Sequence, residues 1–334
     1  MTNIDSQLTS SRPVKIVGRA TLRGHIGIAR IDHWFKNVFI IPGAVAALAM
    51  DPHHIAPDVP KRALLGLASV CLVASSNYVI NEVLDAPSDL AHPTKHTRPV
   101  PAGQVNIPLA YVQWIVLMII GVGLGYLVSV PFAVTAFILW VMGCIYNIRP
   151  VRSKDLPYLD VLSEAVNNPL RMLAGWFIVG SASVAPGSLL LSYWMVGCYF
   201  MAMKRYAEFR EIADPVRAAA YRKSFKFYTA DRLLVSIMFY GSAAMLFLGA
   251  FVMRYRLELF LSFPLIALVM AIYLFLGLKP NSTVQRPEGL YREPTLMAAV
   301  LACSIAICVL MLVDIPGLPM LIAPTAPTAP AVLP

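Results

Sequence analysis

Residues 63–80 read ALLGLASVCLVASSNYVI, an apolar run without a Lys, Arg, Asp or Glu, and they pass directly into NEVLDAPSD, residues 81–89. As a helix, such a run crosses most of a hydrocarbon core about 30 Å thick. Asn81, Asp85 and Asp89 then follow at spacing i, i+4, i+8. On a helix, residues four apart share a face and lie about 6 Å apart along the axis. Three oxygen-bearing side chains therefore form one stripe at the end of a membrane helix. The basic, proline-broken segment LAHPTKHTRP, residues 90–99, comes straight after. Oxygen donors suit a hard cation such as Mg²⁺, which takes one or two carboxylates and leaves other positions to phosphate and water. One such Asp is ordinarily a solvated helix end. A string of ionisable groups beside a bilayer is costly and marks function.

The rest of the chain has the same character. Of 334 residues, 58% are hydrophobic and 13% charged, against about a quarter charged in a soluble domain. The reading is an all-α, polytopic membrane protein. Nine apolar segments are long enough to span: 33–50, 62–84, 107–127, 130–147, 157–179, 187–204, 232–253, 257–277 and 295–315. Residues 1–29 form a polar segment with no cleavable signal pattern, 30–316 a transmembrane catalytic domain, and 317–334 a Pro/Ala-rich tail that cannot pack a core. Cys71, Cys144, Cys198, Cys303 and Cys308 lie inside apolar runs and read as small core residues.

A net charge of +9 raises the question of which membrane face carries it, rather than of nucleic acid. Lys and Arg crowd the N-terminal segment and the loops after spans 2, 4, 6 and 8; the opposite side has only Lys61, Arg62, Arg254 and Arg256. The positive-inside rule then places the N-terminus in the cytoplasm, the C-terminus outside, and the protein in the inner (plasma) membrane. Every polar cluster of interest falls on that cytoplasmic side, so the chemistry belongs at the inward mouth of a helical bundle.

A second acidic pair, Asp160 and Glu164, opens the fifth span, preceded by Lys154 and Asp155. Two carboxylate stripes entering one cavity can hold Mg²⁺ against a diphosphate, whereas acids at a helix start can also serve only the macrodipole. Arg171 lies deeper in that span, near Asn167 and Asn168, suited either to a phosphate or to a buried carboxylate. Around the same mouth stand Lys36, Lys95, Arg98, Tyr146, Arg149, Lys204 and Arg205. Their cations are natural phosphate clamps, although loop bias alone also supplies many basic residues. No GxSxG, HExxH or GxxxxGK[ST] pattern is present, and Pro93 breaks the helix that would align His92 with His96.

These residues resemble the UbiA superfamily of intramembrane prenyltransferases, whose two aspartate-rich motifs stand here as Asn81-Glu82-x-x-Asp85-x-x-x-Asp89 and Asp160-x-x-x-Glu164, with Glu82 replacing the first Asp. Within the superfamily, residues 33–38 (HWFKNV), 89–99 (DLAHPTKHTRP) and 204–208 (KRYAE) are similar to the decaprenyl-phosphate phosphoribosyltransferases. Residues 146–149 (YNIR) and 167–169 (NNP) depart from that group's pattern. The resemblance implies a UbiA-type bundle of nine helices and Mg²⁺ at Asn81, Asp85 and Asp89. It also implies transfer of 5-phosphoribosyl from 5-phosphoribosyl 1-diphosphate (PRPP) to a polyprenyl phosphate. The product would lead to a lipid-linked D-arabinofuranose donor, for the envelope or for rhizobial Nod factors. Asp85, Asp160 and Glu164 would be catalytic, and the cations and Tyr146 would bind substrate. Oligomerisation stays open. The alternatives are a conventional prenyltransferase acting on an aromatic acceptor and, in another class, a transporter or lipid flippase.

Overall fold

The computed structural model describes residues 19–51, 56–90, 95–181, 183–285, 287–318 and 320. All regular elements among them are helical. Residues 1–18 of the expected polar segment 1–29, residues 319 and 321–334 of the expected tail 317–334, and the Ala91-His92-Pro93-Thr94 string lie outside the described residues. Among the described residues, seven stretches are long and apolar enough to cross a membrane: Leu22–Met50, Val59–Asp89, Ile107–Val128, Val130–Asn147, Ala230–Tyr255, Leu257–Leu278 and Pro294–Leu312. The other two expected spans, 157–179 and 187–204, are helical but do not join the seven.

The chain forms two compact units, one from residues within 1–47, 53–184 and 214–228, the other from 48–52, 185–213 and 229–334. In the first, α1 (Leu22–Ile28) begins earlier than the apolar pattern suggested, because Thr21 caps it by accepting Gly24 N–H at 3.0 Å. A ten-residue 3-10 run, Ile31–Ile40, leads into α2 (Ile41–Met50). The 31-residue helix α3 (Val59–Asp89) is the central element of this unit, and α4 (Ile107–Val128) and α5 (Val130–Asn147) pack along it. Lipid supplies no hydrogen bonds, so polar side chains of a buried helix must find protein partners. Ser69 and Ser76 of α3 accordingly donate to the carbonyls of Gly121 and Trp114 on α4 at 2.6 and 2.7 Å, and Asn77 to that of Leu139 on α5 at 3.0 Å. Ser129 alone joins α4 to α5, ending one and capping the other through Phe132 N–H.

The expected span 157–179 is two helices, α6 (Leu159–Ala165) and α7 (Asn167–Ile178), parted at Val166. The break has a local cause. Pro169 has no N–H for the carbonyl of Ala165 and its ring crowds that carbonyl, while Asn167 Nδ2 donates to the Glu164 carbonyl at 3.0 Å. α7 meets the 3-10 run and α2 at a seam where only glycine fits. A Cβ on Gly43 would run into the Met172 carbonyl, and one on Gly175 into that of Ile40. That close approach brings Arg171 onto Asn37, Nε to Oδ1 at 3.0 Å.

The second unit is built on α8 (Gly187–Ile212). After the short α9 (Pro215–Tyr221), which belongs to the first unit, it continues with α10 (Ala230–Tyr255), α11 (Phe263–Leu278) and α12 (Pro294–Leu312). Ser192 of α8 donates to the Ala244 carbonyl at 2.9 Å, and Tyr199 to that of Met270 at 2.7 Å.

Candidate active site

Asp85 stands at the last turn of α3, four residues after Asn81, as the helical spacing requires. It is 20% exposed, and two cations from the turn after α5 reach the same carboxylate oxygen: Lys154 Nζ at 2.6 Å and Arg152 Nη2 at 2.8 Å. Asn81 Nδ2 lies 3.3 Å from the other oxygen and donates to Asn147 Oδ1 at 2.6 Å. Lys154 also donates to that Asn147 oxygen, at 2.8 Å. Burial pulls the Lys154 ammonium down to about 8, against the opposing pull of the Asp85 carboxylate. The turn itself is sharply bent, with Arg152 at φ 35° and Tyr158 at φ 64°.

The second acidic motif arrives through Tyr146. Its hydroxyl donates to Glu164 Oε2 at 2.8 Å, and Lys154 Nζ lies 5.7 Å from its ring centroid. Asp85, Lys154, Tyr146 and Glu164 thus form one connected group drawn from α3, α5, α6 and the turn between the last two. Asp160 behaves otherwise: it is fully buried and accepts from Tyr228 and Ser224 hydroxyls at 2.6 and 3.1 Å and from Arg222 at 3.4 Å.

The remaining candidates divide by position. Asp89 is buried and paired with Arg98 at 2.7 Å. Lys95 Nζ is 3.5 Å from the Tyr221 hydroxyl and 4.9 Å from that ring's centroid. Lys36 Nζ lies 3.0 Å from His33 Nδ1, and His33 stacks edge-on against Tyr78 of α3. Arg149 is exposed just past α5. Lys204 and Arg205 belong to the second unit, where buried Arg205 pairs with Glu208 at 3.0 Å. Glu82, at the place of the motif's first Asp, is buried and accepts Val100 N–H at 3.1 Å, so it holds the following loop.

Arg152, Lys154 and Asn147 were not selected from sequence as the partners of Asp85. Loop cations abound, and only the φ > 0 bend at Arg152 turns these two back onto α3. No group of three or more His, Cys, Asp or Glu poised for a metal occurs among the described residues. Asp85 still fits Mg²⁺, as a partly open carboxylate of the one-carboxylate kind that a phosphate substrate completes, and Asn81, whose Nδ2 faces Asp85 and Asn147, would turn its amide to add an oxygen.

Residues 39–288 match the UbiA prenyltransferase family. The decaprenyl-phosphate phosphoribosyltransferase of Mycolicibacterium smegmatis is 28% identical over 235 residues, 69% of this chain and 68% of that protein. Nodulation protein NoeC of Azorhizobium caulinodans is 26% identical over 291 residues, covering 84% and 88%. In fold, the chain is similar to a UbiA homologue from Archaeoglobus fulgidus solved with GPP and Mg²⁺: TM-score 0.66 at 20% identity, over 86% of this chain and 99% of that one.

Proposed function

This chain belongs to the UbiA prenyltransferase family, and on that premise we propose that it transfers the 5-phosphoribosyl group of PRPP to a polyprenyl phosphate, releasing diphosphate. The observation that carries the reading is the pair Arg152 and Lys154 converging on Asp85 beside Asn81. A carboxylate that neutralises one buried and one half-buried cation holds them ready for a polyphosphate, which accepts both more strongly than a monoanion does. Relatives named decaprenyl-phosphate phosphoribosyltransferase at 28% and 30% identity support the donor and acceptor. The nodulation relative supports use of the product in nodulation, and the family resemblance supports a lipid-linked D-arabinofuranose donor as its destination.

In this scheme Asn81 and Asp85 would hold Mg²⁺, and Asp89, one turn on, fixes Arg98. Bound there, the ion would offset negative charge on the departing diphosphate. Arg152 and Lys154 swing from Asp85 to the diphosphate oxygens. Lys36, Lys95, Arg98 and Arg171 are candidates for the other phosphates. Glu164, oriented by Tyr146, accepts a ribose hydroxyl. The lipid phosphate oxygen forms a bond to C1 of the ribose as the C1–O bond to diphosphate breaks and the electron pair leaves with diphosphate. A phosphate monoester is already anionic near neutral pH, so no strong general base is needed, and catalysis is positional and electrostatic. The mouth faces the cytoplasm of the inner membrane, in keeping with the Lys and Arg bias of the loops.

The test is a transfer assay with purified protein, Mg²⁺, labelled PRPP and a polyprenyl phosphate. The expected result is a labelled lipid. Label entering lipid only with a prenyl diphosphate and 4-hydroxybenzoate would assign the conventional prenyl transfer instead.

A further inference from the structure

We propose that Asp160, the first carboxylate of the second acidic motif, is a positioning residue: it latches the segment Arg222–Tyr228 to the start of α6 and is not a ligand of metal or substrate. Its side chain is 0% exposed, and both oxygens are committed. Oδ1 accepts from the Tyr228 hydroxyl at 2.6 Å; Oδ2 accepts from Ser224 at 3.1 Å and Arg222 at 3.4 Å. Tyr228 oxygen in turn accepts the N–H of Tyr158, the residue at φ 64° that precedes α6, at 2.6 Å. A cation entering here would have to displace three donors from Asp160, the Arg222 guanidinium and the Ser224 and Tyr228 hydroxyls, each a costly exchange at a fully buried carboxylate. Asp85 differs, because it is partly exposed and its partners are the very cations a polyphosphate would recruit.

The latched segment reaches the Asp85 pocket through Lys223. Lys223 Nζ lies 3.2 Å from Asp155 Oδ2; Asp155 holds Arg152 Nε at 3.3 Å, and Arg152 holds Asp85 at 2.8 Å. Tyr221, just before the segment, contacts Lys95. Fixing residues 222–228 therefore fixes where two of the cations near the first motif stand. Only this kinetic consequence rests on the diphosphate reading of the Asp85 pocket; the latch itself does not.

The experiment uses the full chain in nanodiscs without substrate. Within the segment and its flank, Arg217, Arg222, Lys223 and Lys226 are trypsin sites. Asp160→Asn and Tyr228→Phe should each raise cleavage at these sites several-fold, with or without Mg²⁺, and the double variant should cleave no faster than Asp160→Asn alone, as coupled partners do. In the transfer assay both variants should raise KM for the donor and leave the Mg²⁺ concentration for half-maximal rate unchanged. Loss of a true ligand would raise that concentration by about tenfold or more. A result in which Asp160→Asn shifts the Mg²⁺ requirement while Tyr228→Phe shifts neither it nor the cleavage would overturn the latch. If PRPP proves not to be the donor, the proteolysis result still decides Asp160, so the two failures are separable.

Discussion

Replacing Lys154 by Met removes the cation nearest Asp85 and leaves a side chain of similar length in its place. Lys154 is 8% exposed and makes two hydrogen bonds, to Asp85 at 2.6 Å and to Asn147 at 2.8 Å. Hydrogen bonds involving a charged group contribute a net of about 1.5–3 kcal/mol each. Arg152 stays on the same Asp85 oxygen at 2.8 Å and keeps that carboxylate paired. The penalty thus falls on the bound diphosphate more than on the fold, since Arg152 keeps Asp85 from being left as an unpaired charge. We expect a loss of about 2 kcal/mol in transition-state binding, roughly 30-fold in kcat/KM for the donor. The assay is initial-rate transfer in nanodiscs with donor varied, alongside a thermal melt that should move little. Arg254→Gln, at an exposed position ending α10, serves as the control. A Lys154→Met enzyme within about threefold of wild type, less than 1 kcal/mol, would refute the argument that this cation serves the substrate.

Other outcomes follow from the same contacts. Gly175→Val forces a branched side chain into the Ile40 carbonyl and should cost about 1–3 kcal/mol by overpacking, read as a lower melting temperature in detergent. Glu82→Ala orphans the buried Val100 N–H and should cost about 1–3 kcal/mol of stability, whereas Glu82→Gln, which keeps an acceptor, should stay close to wild type in the same melt. Chelating divalent cations should abolish transfer while leaving helical circular dichroism unchanged, because the described helices are held by apolar packing and backbone bonds rather than by metal.

The long apolar helices were legible because periodicity and hydropathy are properties of a single segment. The stripe Asn81–Asp85 was legible for the same reason: helical geometry alone puts both on one face. The break at Val166 was missed because Pro169 near the start of an apolar run was outweighed by the length of the run. The start of α1 at Leu22 was missed because its apolar contacts are few and distant in sequence: Ile28 packs on Val79 and Val100. The convergence of Arg152 and Lys154 on Asp85 depends on a bend with φ > 0 at Arg152, which no spacing rule encodes, so in the sequence they stand only among the many loop cations. Likewise nothing local in Asp160-x-x-x-Glu164 tells that one acid meets Tyr146 and the other meets a segment some sixty residues later.

Equilibrium binding of labelled PRPP to the purified protein tests the central claim most directly. The account predicts Mg²⁺-dependent binding that excess polyprenyl phosphate does not displace, that chelator releases, and that Asp85→Asn loses while its helical circular dichroism stays that of the wild type. Equal binding of PRPP to the wild type and to Asp85→Asn, or none to either, would contradict it.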